Sequence, residues 1–152
     1  MDKATTLPGL PDAGIVLAAP AGDWRDAVET AGRALTASGA TDDGYGADMV
    51  RMVEEHGPYI VVAPGLALAH ARPGRSVLRD GLAIVTLAEP VAFGHPHNDP
   101  VRVVLALAGA SSARHLQLVA EIANIFNDSD AVERLAAARS ADEVRGILGV
   151  GA

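Results

Sequence analysis

The chain has 152 residues, 49% of them hydrophobic, and a formal net charge of −7. That length fits one domain over residues 1–152, with enough apolar residues for a full core. The acidic balance, together with only one Trp, two Tyr and two Phe, excludes a basic, base-stacking nucleic-acid surface, and the lack of cysteine excludes disulfides, thiolate nucleophiles and cysteine metal sites.

Residues 1–13 are polar, contain Pro8 and Pro11, and read as a loose N-terminal arm. They show no apolar stretch of the kind a signal peptide needs, and no later run is long enough to span a bilayer, so a cytoplasmic location is expected. The run "GIVLAAP" from Gly14 suits a short strand. "GDWRDAVETAGRALTASG" predicts a helix with Asp23 as N-cap, Trp24, Val28, Ala31 and Leu35 at helical spacing, and Gly39 as its stop. "YGADMVRMVEEHG" predicts a second helix carrying Met49, Met52 and Val53 on one side and ended by Gly57 and Pro58. "YIVVAP", "GLAIVTLAEP" and "VRVVLALAG" are short apolar runs bounded by Pro or Gly and read as buried strands.

After them, "SSARHLQLVAEIANIFND" predicts a helix capped by Ser111 or Ser112, with an inner stripe of Leu116, Val119, Ile122, Ala123 and Phe126. "SDAVERLAAARS" reads as another helix, and "SADEVRGILG" opens on a capping box, Ser140 with Glu143. The order of strand, two helices, a block of strands and three helices implies an α/β fold. One central mixed sheet, built from the runs near Ile15, Val61, Ile84 and Val104, is expected to carry helices on both faces.

Three groups of residues can carry chemistry. In "APGLALAHARPG" (63–74), His70 alternates with alanines and is followed by Arg72 and Arg75. On a strand, Leu66, Leu68 and His70 share one face. A buried histidine satisfied by a carbonyl is the plain reading. The sharper one is a nucleophilic imidazole, with one nitrogen pinned and one free, reachable past small alanine neighbours and with Arg72 placed to steady an anion. His115 follows "GASSAR" at a helix start, where backbone N–H groups and the helix dipole favour a phosphate; alone, it reads as a surface residue. "FGHPHNDPV" offers His95, His97 and Asp99 as zinc ligands, but Pro96, Asn98 and Pro100 make it a turn-rich loop, and no metal is expected. His56, beside Glu54 and Glu55 at a helix end, reads as a charge complement to the helix dipole. Walker, dinucleotide and nucleophile-elbow motifs are absent from the sequence.

With "GPYIVVAPGLALAHARP" from Gly57, "VTLAEPVAFGHPHNDPVRVVLALA" from Val85 and "HLQLVAEIANIF" from His115, the chain resembles the enzyme IIA component of the bacterial sugar phosphotransferase system, mannitol/fructose class. The "NDPV" after the Phe-Gly-His turn points to the L-ascorbate branch. The resemblance implies the mannitol/fructose-type IIA fold. It also implies transfer of a phosphoryl group from the phosphocarrier HPr onto His70 and on to a cysteine of enzyme IIB, serving carbohydrate uptake through a membrane IIC permease. It makes His115 a second active-site histidine that positions the phosphoryl group.

The family usually has Pro directly before the active histidine, where this chain has Ala69. Transfer between imidazoles needs positioning and charge balance rather than covalent machinery, so no cofactor is expected, and the acidic surface suits a basic HPr. A regulatory phosphoprotein docking on a transcription factor, a zinc protein using His70, His95, His97 and His115, and a homodimer are arrangements the sequence leaves open. No nucleic-acid partner is expected.

Overall fold

The computed structural model describes residues 7–128 and 130–152. Five strands form one mixed sheet: β1 (Ile15–Ala19), β2 (Val61–Ala63), β3 (Leu66–His70), β4 (Gly81–Val91) and β5 (Val101–Ala108), in the order β1-β4-β5-β3-β2. β1 and β4 run parallel, as do β3 and β5, while β4/β5 and β2/β3 are antiparallel. The helices are α1 (Trp24–Ala37), α2 (Tyr45–His56), α3 (Ser112–Ile125), α4 (Ala131–Ala136) and α5 (Ala141–Leu148).

Strand side chains alternate sides, and here the alternation separates small residues from large ones. Ala67, Ala69, Ala83, Ala106 and Ala108 face α1 and α2, whereas Leu66, Leu68, Leu82, Leu105 and Leu107 face α3, α4 and α5. The alanine face lets the first helix pair come close. α1 and α2 themselves meet at Gly32 and Gly46, where a methyl on Gly32 would lie 2.6 Å from the Gly46 Cα. The leucine face needs bulk from the other side, which Leu118, Ile122, Leu135, Val144 and Leu148 supply. Each fully buried Leu or Ile contributes about 1.5–3 kcal/mol.

Local signals act where expected. The Asp23 side chain accepts from the Asp26 N–H at the start of α1, Ser111 from Arg114 N–H at α3, and Ser140 from Glu143 N–H at α5. Gly57, with φ 82°, ends α2. Between β2 and β3 the chain turns at Pro64 and Gly65. Gly65 has φ 78°, the left-handed conformation a tight turn with Pro ahead of it requires.

Two expectations are corrected. Of the arm expected over residues 1–13, residues 1–6 lie outside the described residues, but from Leu7 onward the chain is packed. Leu7 and Leu10 are buried on the leucine face, Leu10 N–H donates to the Gly151 carbonyl (2.7 Å), and Arg145 donates to the Leu10 carbonyl and pairs with Asp12. The two leucines beside the prolines were the overlooked signal.

On α3, Leu118 and Ile122 are the buried residues, while Leu116 is 69% exposed and Ala123 is exposed. Val119, Ile122 and Phe126 of the expected stripe do pack on the leucine face, but Leu118 joins them in place of Leu116 and Ala123, and Leu116 instead borders a depression beside His70.

Candidate active site

Parallel pairing of β3 with β5 decides the site. Both strands end at the same edge of the sheet, with His70 in register with Leu107. β5 then runs through Gly109 and Ser111 into α3, whose fourth residue is His115. The last residue of one strand and the first turn of the helix after its neighbour therefore meet. This is where open α/β sheets place their ligands, at the carboxyl ends of parallel strands. The His70 and His115 rings lie 5.1 Å apart, inclined at 44°.

His70 Nδ1 is 2.9 Å from the Leu68 carbonyl oxygen. A carbonyl only accepts, so Nδ1 carries the proton, and in a neutral ring the lone pair is left on Nε2. His115 is held differently. Its Nδ1 is buried with no hydrogen-bond partner among the described residues, and burial, with His70 nearby, pushes its pKa below the ordinary 6.5. A neutral ring with an unpaired lone pair is less costly than one with an orphaned N–H. The proton thus belongs on Nε2, as a donor. The pair presents a ring nitrogen with a free lone pair beside a ring N–H donor.

Around them lies a shallow depression of about 460 Å³ bordered by Met52, Arg72, Pro73, Ser112 and Leu116 as well as the two histidines. Arg72 is exposed and makes no ion pair with a described residue, leaving its guanidinium available to an anion.

Three supports were not foreseen from the sequence. Tyr45, at the head of α2, is fully buried. Its hydroxyl donates to the Leu107 carbonyl (2.8 Å) and accepts from the Ala71 N–H (3.0 Å), clamping the end of β3 to β5. Burial raises its pKa to about 12. The signal was its place four and eight residues before Met49 and Val53, on the buried stripe of α2. Asp80 accepts from the Ala110 N–H (2.8 Å) and from Arg114 Nε (2.6 Å), bracing the turn that leads into α3. Gly109 is the point of closest approach, where a methyl would lie 2.9 Å from the His115 Cα.

Comparison with known proteins shows the family. The family model for the phosphoenolpyruvate-dependent sugar phosphotransferase system, EIIA 2, matches residues 10–149. This chain is a member of that EIIA family. It is 38% identical over 135 residues to the ascorbate-specific PTS system EIIA component of Shigella flexneri, covering 88% of each chain. It is also similar in structure to mannitol IIA of Escherichia coli (TM-score 0.80, 26% identity, 91% and 97% coverage) and to the same protein in complex with phosphorylated IIB (TM-score 0.78, 26% identity, 91% and 96% coverage).

As an EIIA component the protein is a phosphotransferase, and its sheet with helices on both faces is the fold expected from the sequence. In this EIIA the remaining sequence candidates divide clearly. His95, His97 and Asp99 lie at the other end of β3, where Asn98 Nδ2 donates to the Val61 carbonyl and the Asn98 carbonyl accepts from Gly65 N–H. The lone pair of His95 Nδ1 accepts from the N–H groups of His97 and Asn98, and the Asp99 carboxylate accepts from those of Phe93, Gly94 and His95. These acceptors organise a turn, and among the described residues no three metal-ligating side chains cluster.

The expectation that small alanines open a path to His70 is corrected. Ala69 and Ala71 are buried against α1 and α2, with only Ala71 reaching the wall of the depression beside His70. Access comes instead from His70 standing at the strand end. In this EIIA no helix among the described residues is long and apolar enough to cross a membrane.

Proposed function

We propose that His70 of this EIIA accepts a phosphoryl group from the phosphohistidine of HPr and passes it to a cysteine of an enzyme IIB, in a system taking up L-ascorbate. The carrying observation is the Nδ1–H bond from His70 to the Leu68 carbonyl, beside His115 at 5.1 Å. It fixes Nε2 as the attacking atom. A bond forms between Nε2 and phosphorus as the bond from phosphorus to the protonated donor ring breaks, the electron pair returning to that ring so that it leaves as neutral imidazole, and the positive charge now on the His70 ring is shared through Nδ1–H with the Leu68 carbonyl. A cysteine thiolate then attacks phosphorus and His70 leaves as neutral imidazole. Bonds and charges balance without a cofactor.

His115 supplies Nε2–H to the phosphoryl oxygens and does not itself accept the group, and Arg72 offsets their charge. The IIB partner is supported by the E. coli IIA–IIB complex among the structural relatives, and the sugar by the ascorbate-specific relatives.

Incubation with phosphoenolpyruvate, enzyme I and HPr tests the assignment by intact mass. The native chain is expected to gain one phosphoryl group, labile in mild acid and stable in base, and His70→Ala and His70→Gln to gain none while folded. Phosphate uptake by folded His70→Ala would overturn it.

A further inference from the structure

Tyr59 packs directly against the acceptor. It follows α2 in the segment leading to β2, and its ring centroid lies 5.7 Å from that of His70 at an interplanar angle of 87°. Behind it, His56 meets Tyr59 edge to face at 6.1 Å and 85°. His56, Tyr59, His70 and His115 thus form a continuous row of rings across the carboxyl end of β3. Among the described residues one hydrogen bond, from Nδ1 to the Leu68 carbonyl, holds the His70 ring. A single bond leaves the ring free to tilt about that axis. Tyr59 on one side and His115 on the other remove that freedom, and perpendicular ring contacts are the geometry aromatic quadrupoles favour.

We propose that Tyr59 is a positioning residue for the phosphoryl-transfer step: its ring, rather than its hydroxyl, holds the His70 imidazole with Nε2 aimed at the incoming phosphorus. This rests on the reading of His70 as the acceptor. The side chain is 41% exposed, so its replacement leaves the core intact. Burial raises the phenol pKa while the Arg72 guanidinium acts the other way, and Arg72 lines the same depression as His70 and His115.

The test uses the full chain with phosphorylated HPr as donor, comparing Tyr59→Leu, which keeps apolar bulk without the ring, and Tyr59→Phe, which keeps the ring. Tyr59→Leu is expected to load with kcat reduced about tenfold and KM for phosphorylated HPr within about twofold of native, since misorientation acts on the reacting geometry more than on docking. Tyr59→Phe is expected to restore kcat to within about twofold. Nitrogen-15 spectra of the unphosphorylated proteins give an independent readout: the share of the Nδ1–H tautomer of His70 falls in Tyr59→Leu and stays native in Tyr59→Phe.

A native kcat in Tyr59→Leu, a loss confined to KM, or an equal loss in Tyr59→Phe each overturns the assignment to the ring. Phosphate mapping in the native protein separates the two levels. If it maps to His70 and Tyr59→Leu loads normally, only the role of Tyr59 falls; if it maps elsewhere, both fall.

Discussion

Gly109→Ala adds one methyl group where β5 turns into α3, and it tests the site through packing alone. The new Cβ would sit 2.9 Å from the Cα of His115, 3.0 Å from its Cβ and 3.1 Å from its N. Carbon atoms settle at about 3.5–4.0 Å, so the first turn of α3 must retreat by roughly 0.6–1 Å. The opposing atoms are the backbone and Cβ of His115, which have no rotamer to change. Overpacking of this kind costs about 1–3 kcal/mol, against a gain of about 0.4–1 kcal/mol from the stiffer unfolded chain. Destabilisation wins, and a melting temperature lower by several degrees, roughly 2–8 °C, is expected.

The functional effect is larger. Retreat of α3 moves His115 away from His70, and a displacement near 1 Å costs up to about 100-fold in a positioned reaction. Rapid-quench measurement of phosphoryl transfer from HPr should therefore show at least about a tenfold loss in Gly109→Ala, with His70 untouched. Gly146→Ala is the matched control. Gly146 lies inside α5 with nothing within 4 Å of the added methyl, and the change should stabilise by about 0.5–1 kcal/mol and leave transfer alone. Native stability and native transfer in Gly109→Ala would refute the claim that the Gly109–His115 contact sets the spacing of the two histidines.

Tyr45→Phe removes the hydroxyl between Ala71 and Leu107 and leaves a buried N–H and C=O short of a partner. The expected cost is about 1–3 kcal/mol in denaturant unfolding, together with loss of the stability change between pH 10 and 12 that the raised phenol pKa of about 12 produces. That contribution is present below pH 10 and declines above it, as the unfolded phenol ionises first. His115 titrates below its ordinary 6.5, so the unfolded chain takes up its proton before the folded one does. Stability is expected to fall as pH drops below about 6.5, and His115→Gln to remove that part of the slope. A phosphoryl group on His70 should reverse the shift and raise the His115 pKa, measured by NMR titration before and after loading. An unchanged or lower value would show that His115 does not face the phosphoryl group.

The pattern of the chain determined a great deal. Periodicity and caps placed α1, α2, α3 and α5, because an N-cap such as Asp23 or Ser140 and a stop such as Gly57 act within a few residues of themselves. The alternation of Leu and Ala in 66–71 was legible as a strand, and it encoded which sheet face would take large residues. His70 and His115 could be singled out by their neighbours and by family resemblance.

That they lie side by side could not. Their meeting depends on β3 running parallel to β5 in the register His70 to Leu107, a pairing between segments more than thirty residues apart that local propensity does not specify. For the same reason Tyr45, Asp80 and Gly109 escaped notice, since each matters only for what the fold brings against it. The direction of each side chain was also decided in three dimensions. Leu116 and Ala71 turned out to border the site, Ala69 is buried in the core, and Leu7 and Leu10 are drawn into it as well, because burial belongs to the assembled sheet and helices and not to any single run of residues.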